Sequence, residues 1–147
     1  MTVDYGTDLS CTLTTETLEF PDGSFRTQQT WDATGDDFPE ISGRPLLIEA
    51  LLRRLVTRRG TLLGAPDYGT DIRAWINKDV DRAGAARLGG LISAELAKDE
   101  RVRSAAASAT FANSKLTALI TIVDGAGPFK LTVAIDDVSL KLLGVST

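Results

Sequence analysis

From residue 44 onward the apolar positions recur at helical spacing. Leu47, Leu51 and Leu55 stand at i, i+4 and i+8, and Ile48, Leu52 and Val56 widen the stripe into a face. Ser42 or Gly43 supplies a cap, Pro45 suits the first turn, and Gly60 is placed to end the helix. The stretch Ala65-Pro66-Asp67-Tyr68-Gly69-Thr70-Asp71 reads as a loop, with Asp67 or Thr70 capping a short helix that holds Ile72, Trp75 and Ile76. A third helix starts near Asp79 or Asp81 and ends at Lys98 or Asp99. It carries Val80, Leu88, Leu91, Ile92 and Leu96, diluted by Gly84, Gly89 and Gly90, each of which weakens a helix.

After Arg101 the period becomes two. Residues 102–112 read as a strand of small side chains and Asn113-Ser114 as a tight turn. Residues 115–124 are apolar on both faces, Leu116, Ala118, Ile120 and Ile122 alternating with Thr117, Leu119, Thr121 and Val123. Gly125-Ala126-Gly127 turns the chain before the row Phe129, Leu131, Val133 and Ile135. At Asp136-Asp137 the phase slips by one, and Val138, Leu140 and Leu142 continue in the other register, through a bulge or by starting a separate strand. On that phase the two rows are expected on opposite sides, one under the helices and the other needing a different cover. The fold class is α+β: two or three helices, then a three- to four-stranded antiparallel β-meander.

The first 43 residues lack this periodicity. They gather turn formers, and they carry nine acids against the single base Arg26, a net charge of −8. Residues 44–147 carry +4, so the chain as a whole carries −4. The charge and pattern divide the chain into an acidic extended arm over 1–43, with a short strand or hairpin around 13–25, and a helix–sheet domain over 44–147. The arm lies on the basic remainder or on a neighbouring chain, or else it is a solvated, partly disordered leader. Asp4-Tyr5-Gly6-Thr7-Asp8-Leu9 and Asp67-Tyr68-Gly69-Thr70-Asp71-Ile72 differ at one position, and a reused cap-and-turn motif explains the echo.

Composition narrows the chemistry. The 147 residues give room for one domain, and 43% hydrophobic with 24% charged residues is the balance of a folded protein. No apolar run approaches the roughly 20 residues of a membrane span. The N-terminus also lacks the basic head and apolar stretch of a secretory signal. The single Cys11 excludes an internal disulfide framework. Histidine is absent, which removes the usual serine-hydrolase triad and most zinc chemistry. No cofactor or metal is expected. Glu49, Glu95 or Glu100 with Asp67 or Asp71 are candidate carboxylate pairs for hydrolysis, but their contexts do not suggest burial.

The run Arg53-Arg54-Leu55-Val56-Thr57-Arg58-Arg59, with Arg44 and opposed by Glu49, is a candidate phosphate-contacting face. In a chain of pI near 4.8 with no aromatic platform beside the run, a protein-facing or solvated helix end suits it better. Tyr68, Trp75 and Phe111 are candidate interface anchors, with core packing the plainer role.

Three segments carry a resemblance: the helix end Arg58-Arg59-Gly60, the loop Pro66-Asp67-Tyr68-Gly69-Thr70-Asp71-Ile72, and the junction Asp99-Glu100-Arg101-Val102 before the meander. In this order they resemble the gene-25-like baseplate wedge proteins of contractile phage tails and related injection machines, the sheath-initiator family. The likeness covers residues 44–143 and leaves the acidic arm outside. The junction looks like the family's Glu-Pro-Arg motif with Asp99 and Arg101 in the outer places. Glu100 stands where the family often has proline, so the rigid turn of proline is missing here.

The resemblance implies a structural, non-catalytic subunit of the virion tail baseplate, assembled in the host cytoplasm, or of a cytoplasmic injection particle. Its implied partners are other baseplate wedge proteins, the tail sheath protein and tube or hub proteins, in a symmetric, six-fold ring. Asp99, Glu100 and Arg101 become candidate contacts to wedge proteins or pins of the helix–sheet junction, and Arg58 and Arg59 candidate interface residues. An edge strand over 138–143, with Val138, Leu140 and Leu142, is expected to pair with strands of sheath subunits, and the ring adds avidity. Some members bear an old lysozyme label, which the carboxylates here do not support. No nucleic-acid or membrane partner is expected. The alternative, from another class, is a small nucleic-acid-binding module using the arginine-rich helix end.

Overall fold

The computed structural model describes residues 4–9, 14–19, 25–30, 40–75, 80–112, 115–135 and 140–147. The chain divides into two compact units, Asp4–Glu49 and Ala50–Thr147. In the first, β1 (Thr7–Leu9) pairs antiparallel with β4 (Glu40–Ser42), and β2 (Thr14–Glu19) with β3 (Phe25–Thr30), as separate two-stranded sheets. The β2–β3 pairing reaches five residues beyond the expected 13–25 window, to Thr30 opposite Thr14. The added segment Arg26-Thr27-Gln28-Gln29-Thr30 has no apolar alternation to announce a strand.

Helix α1 (Gly43–Val56) runs across the boundary between the units. In the second unit it is followed by a 3₁₀ turn (Ile72–Trp75) and helix α2 (Arg82–Leu96). Asp81 is the N-cap of α2. Its carboxylate accepts the Gly84 N–H at 2.7 Å, satisfying one donor of the first turn; Asp79 and Ile76 lie outside the described residues. The helix stops at Leu96, before the expected Lys98 or Asp99. Lys98 N–H turns to the Glu95 carbonyl and Asp99 N–H to the Leu96 carbonyl, so the chain tightens out of the α-helix.

Four strands follow: β5 (Val102–Ala112), β6 (Lys115–Asp124), β7 (Gly127–Ile135) and β8 (Leu140–Ser146). They form one antiparallel sheet in the order β5-β6-β7-β8, so the fold is α+β, with two α-helices and a four-stranded meander among the described residues. Leu116, Ala118, Ile120 and Ile122 of β6 and Phe129, Leu131, Val133 and Ile135 of β7 are buried. So are Leu51, Leu55, Ile72, Leu88, Ile92 and Leu96. Only one face of β6 is core; Leu119 on the other face is exposed.

The expected separation of the two C-terminal rows is overturned. Leu140 stands opposite Ile135 and Leu142 opposite Val133. Directly paired residues project to the same face, so these rows share one side of the sheet. Cross-strand pairing, not phase along the chain, sets the side of these rows; Val138 lies outside the described residues. The irregularity falls instead between Thr132 and Val133, where Leu143 is the extra residue on β8. Although β8 continues the core row, it is uncovered: Leu143 is 60% and Val145 46% exposed.

Candidate functional site

Helix α1 ends with carbonyls that need donors, and residues 57–71 fold back to provide them. The Thr57 N–H and hydroxyl both donate to the Arg53 carbonyl, at 3.0 and 2.7 Å. The Thr70 hydroxyl donates to the Leu55 carbonyl at 3.1 Å. The Asp71 N–H donates to the Thr57 carbonyl, and the Gly60 N–H closes the loop on the Pro66 carbonyl. Thr70 therefore serves the preceding helix rather than capping the next turn, which starts from the Asp71 carbonyl accepting the Ala74 N–H. Gly69 has φ +98, and a Cβ there would collide with the Thr57 carbonyl. Only glycine lets the loop lie this close.

That approach aims the Gly69 N–H at the Glu95 Oε1, 2.8 Å away. The Glu95 side chain has 0% exposure and belongs to the buried stripe of α2, with Leu88, Ile92 and Leu96. Arg54 meets Oε1 at 3.4 Å, while Arg59 and Lys98 meet Oε2 at 3.1 and 2.8 Å. Each cation has a second anchor. Arg59 donates to the Gly69 carbonyl at 3.0 Å and Lys98 to the Asp67 carbonyl at 2.9 Å. Arg54 stacks 4.5 Å over the Tyr68 ring and reaches Asp99 at 3.8 Å. Burial alone would raise the Glu95 pKa. The hydrogen bonds from Lys98 and Gly69, with the charges of Lys98 and Arg59, outweigh it and hold the carboxyl below its usual value.

The expectation of unburied carboxylates is thus corrected, for Glu95 and also for Glu49, which is buried too. Sequence hides Glu95 because all its partners but Lys98 are remote: Gly69, Arg59 and Arg54 lie 26, 36 and 41 residues away. Its place three residues after Ile92, on the apolar stripe, was the available signal. Lys98 and the backbone of Gly69 are members of the cluster that residue-type reasoning missed, and Tyr68, singled out as an interface or core aromatic, instead packs under Arg54.

At the junction of α2 and β5, Arg101 forms a two-point pair with Asp99, at 2.8 and 2.9 Å, and donates its backbone N–H to the same carboxylate. The Asp99 carbonyl accepts the Val102 N–H that begins β5. The Arg101 hydrogen bond is the main reason the Asp99 carboxyl is held low against burial, and Asp99 in turn raises the Arg101 guanidinium. Glu100 is exposed. Arg58 is largely exposed, 3.7 Å from Asp71. Asp99 and Arg59 are thus gathered around Glu95 and Arg54, and Arg101 joins them through Asp99. Glu100 and Arg58 face solvent, and Leu140 and Leu142 lie on β8, at the sheet edge opposite β5. Tyr68 packs under Arg54, and Trp75 and Phe111 are half-buried.

Chemically this cluster is an anchor. A carboxylate with no exposed surface, matched to cations and a backbone donor, cannot meet a substrate, and a lowered pKa is the reverse of what a general acid needs. Among the described residues, no group of three or more His, Cys, Asp or Glu side chains is placed to hold a metal. Comparison of the sequence with protein-family models and with curated proteins gives no match.

Proposed function

We propose that the chain is a structural wedge subunit of the baseplate of a contractile tail or injection machine, joining other wedge proteins around the tube and seeding the sheath. One observation carries this reading. The three sequence segments that carry the family resemblance (the arginine-glycine helix end, the Pro-x-x-Gly-Thr-Asp loop and the acidic-x-Arg-Val junction) are distant in the chain. Arg59 and Gly69 meet at the buried Glu95, and Asp99 of the junction reaches the same cluster through Arg54, 3.8 Å away. Shared motifs that build one anchor fit a scaffold role better than a reactive one. In this reading residues 1–43 act as an acidic arm laid on a neighbouring chain, and β8 offers the edge to which sheath strands add.

The nucleic-acid alternative is weakened because Arg54 and Arg59 spend their charge on Glu95. The test uses Leu140→Pro. Across β7, alternation turns the Leu140 N–H outward, so proline removes a donor from the free edge and none from the β7 ladder. The variant should fold, yet leave baseplates without polymerised sheath. Sheath of normal length on mutant baseplates would overturn the reading, as would strong salt-dependent DNA binding by the parent chain.

A further inference from the structure

The sheet has two edges, and the molecule treats them differently. On β5, the Ala107 N–H points away from β6 and donates to the Ser93 hydroxyl of α2 at 2.8 Å. That hydroxyl donates in turn to the Gly89 carbonyl at 2.9 Å. Backbone groups alternate along a strand, so Ala105, Ala109 and Phe111 also point outward. Gly89 closes the same place from the helix side: a Cβ there would stand 2.6 Å from the Ala107 oxygen and 3.4 Å from its carbon. The helix backbone therefore lies against the strand edge, giving its N–H a partner and shielding its carbonyl.

Among the described residues, no strand pairs with the opposite edge. Carried across the ladder, the same alternation turns Lys141, Gly144 and Ser146 toward β7 and leaves Leu142 and Val145 facing outward. The side chains of Leu142, Leu143 and Val145 are exposed. An up-and-down sheet with four strands has edge strands of opposite direction. β8 of one copy therefore runs antiparallel to β5 of a copy related by translation, and such a joint repeats without closing. Beside the sealed point, a groove of about 610 Å³ between Ala85 and Phe111 would receive apolar side chains of an incoming strand. An unsealed β5 would make this chain polymerise with itself.

We infer that α2 is an edge guard, with Gly89 and Ser93 as its latch, which blocks β8-to-β5 stacking of copies and leaves β8 as the edge of this four-stranded sheet for strand addition. The inference rests on strand register and the α2 contact alone, so it stands or falls separately from the baseplate reading. The first test is Ser93→Ala, which removes the acceptor at little cost in packing. The Ala107 amide should exchange with solvent roughly tenfold faster, and sedimentation should show concentration-dependent self-association. Gly89→Ala, which drives a Cβ into the Ala107 carbonyl, should associate more strongly; if it fails to fold, Ser93→Ala decides alone. Adding Leu142→Pro, which deletes an outward donor of β8, should restore the monomer. A folded Ser93→Ala protein that stays monomeric overturns the inference, and so does association that survives Leu142→Pro.

Discussion

Around Glu95 and along β8, the second unit treats polarity in opposite ways. At one place a carboxylate with no exposed surface is held by three cations and a backbone donor. At the other, leucine and valine stand exposed on a strand that, among the described residues, is the last of its sheet. Burial of charge is tolerated because every partner is supplied from the same unit, so that cluster is complete in itself. The apolar strand has no such completion among the described residues. The contrast separates what holds the unit together from what it offers outward.

The largest effect should come from unmaking the first half of that contrast. Glu95→Ala leaves Arg54, Arg59 and Lys98 facing one another without their anion and frees the Gly69 N–H. A loss of about 3–5 kcal/mol is expected for breaking a buried ion cluster from one side, read from the urea midpoint at constant slope. Glu95→Gln keeps the shape and loses the charge, and should cost less. If both variants were as stable as the parent, the cluster would be an ornament of the loop rather than its anchor.

How far this was legible in the sequence follows from the range of each interaction. The α1 stripe, the Asp81 cap, the change of period at Arg101 and the meander all rest on neighbours within a few residues, and sequence reasoning reached them. Of the Glu95 partners only Lys98 is local, three residues on; the cluster was missed because Gly69, Arg59 and Arg54 lie 26 to 41 residues away, and no local pattern marks Gly69 as a donor. The side assigned to the last apolar row was wrong for a different reason. Phase counted along the chain means nothing across a reversal, where cross-strand pairing resets it.

Acid should reveal the same anchor. Glu95 and Asp99 both have carboxyls held below their usual values of 4.5 and 3.8. Above these values both folded and unfolded chains are ionised, and the stabilisation is complete. As pH falls through them the unfolded chain takes up protons first, so stability declines until the lower folded values are passed. Unfolding free energy should therefore drop below about pH 4.5, and Glu95→Gln should flatten that decline. A parent and a variant with parallel acid limbs would show that Glu95 is not a source of the pH dependence.

A smaller effect is expected at the junction. Arg101 is part-exposed and its partner Asp99 also faces Arg54, so Arg101→Ala should cost only about 1 kcal/mol. Salt should screen that loss more than it screens the loss in Glu95→Ala. If stability falls as stated while wedge assembly is unchanged, the pair is a pin of the helix–sheet turn. Assembly lost at parental stability would make it a contact surface.

The smallest effect on folding should come from β8. Leu143 is the extra residue of the bulge and is 60% exposed, so Leu143→Ser removes little apolar area that folding had withdrawn from water. The change in unfolding free energy should stay within about 0.5 kcal/mol. By contrast Leu131→Ala, on the buried row of β7, should cost about 2–5 kcal/mol for a core leucine. The pair of urea titrations measures the gradient from core to edge across two adjacent strands. A loss at Leu143 as large as that at Leu131 would mean that β8 is packed in solution, and that its open face is not available to a partner. A negligible loss with weakened sheath assembly would identify exposed apolar area that folding does not need and association does.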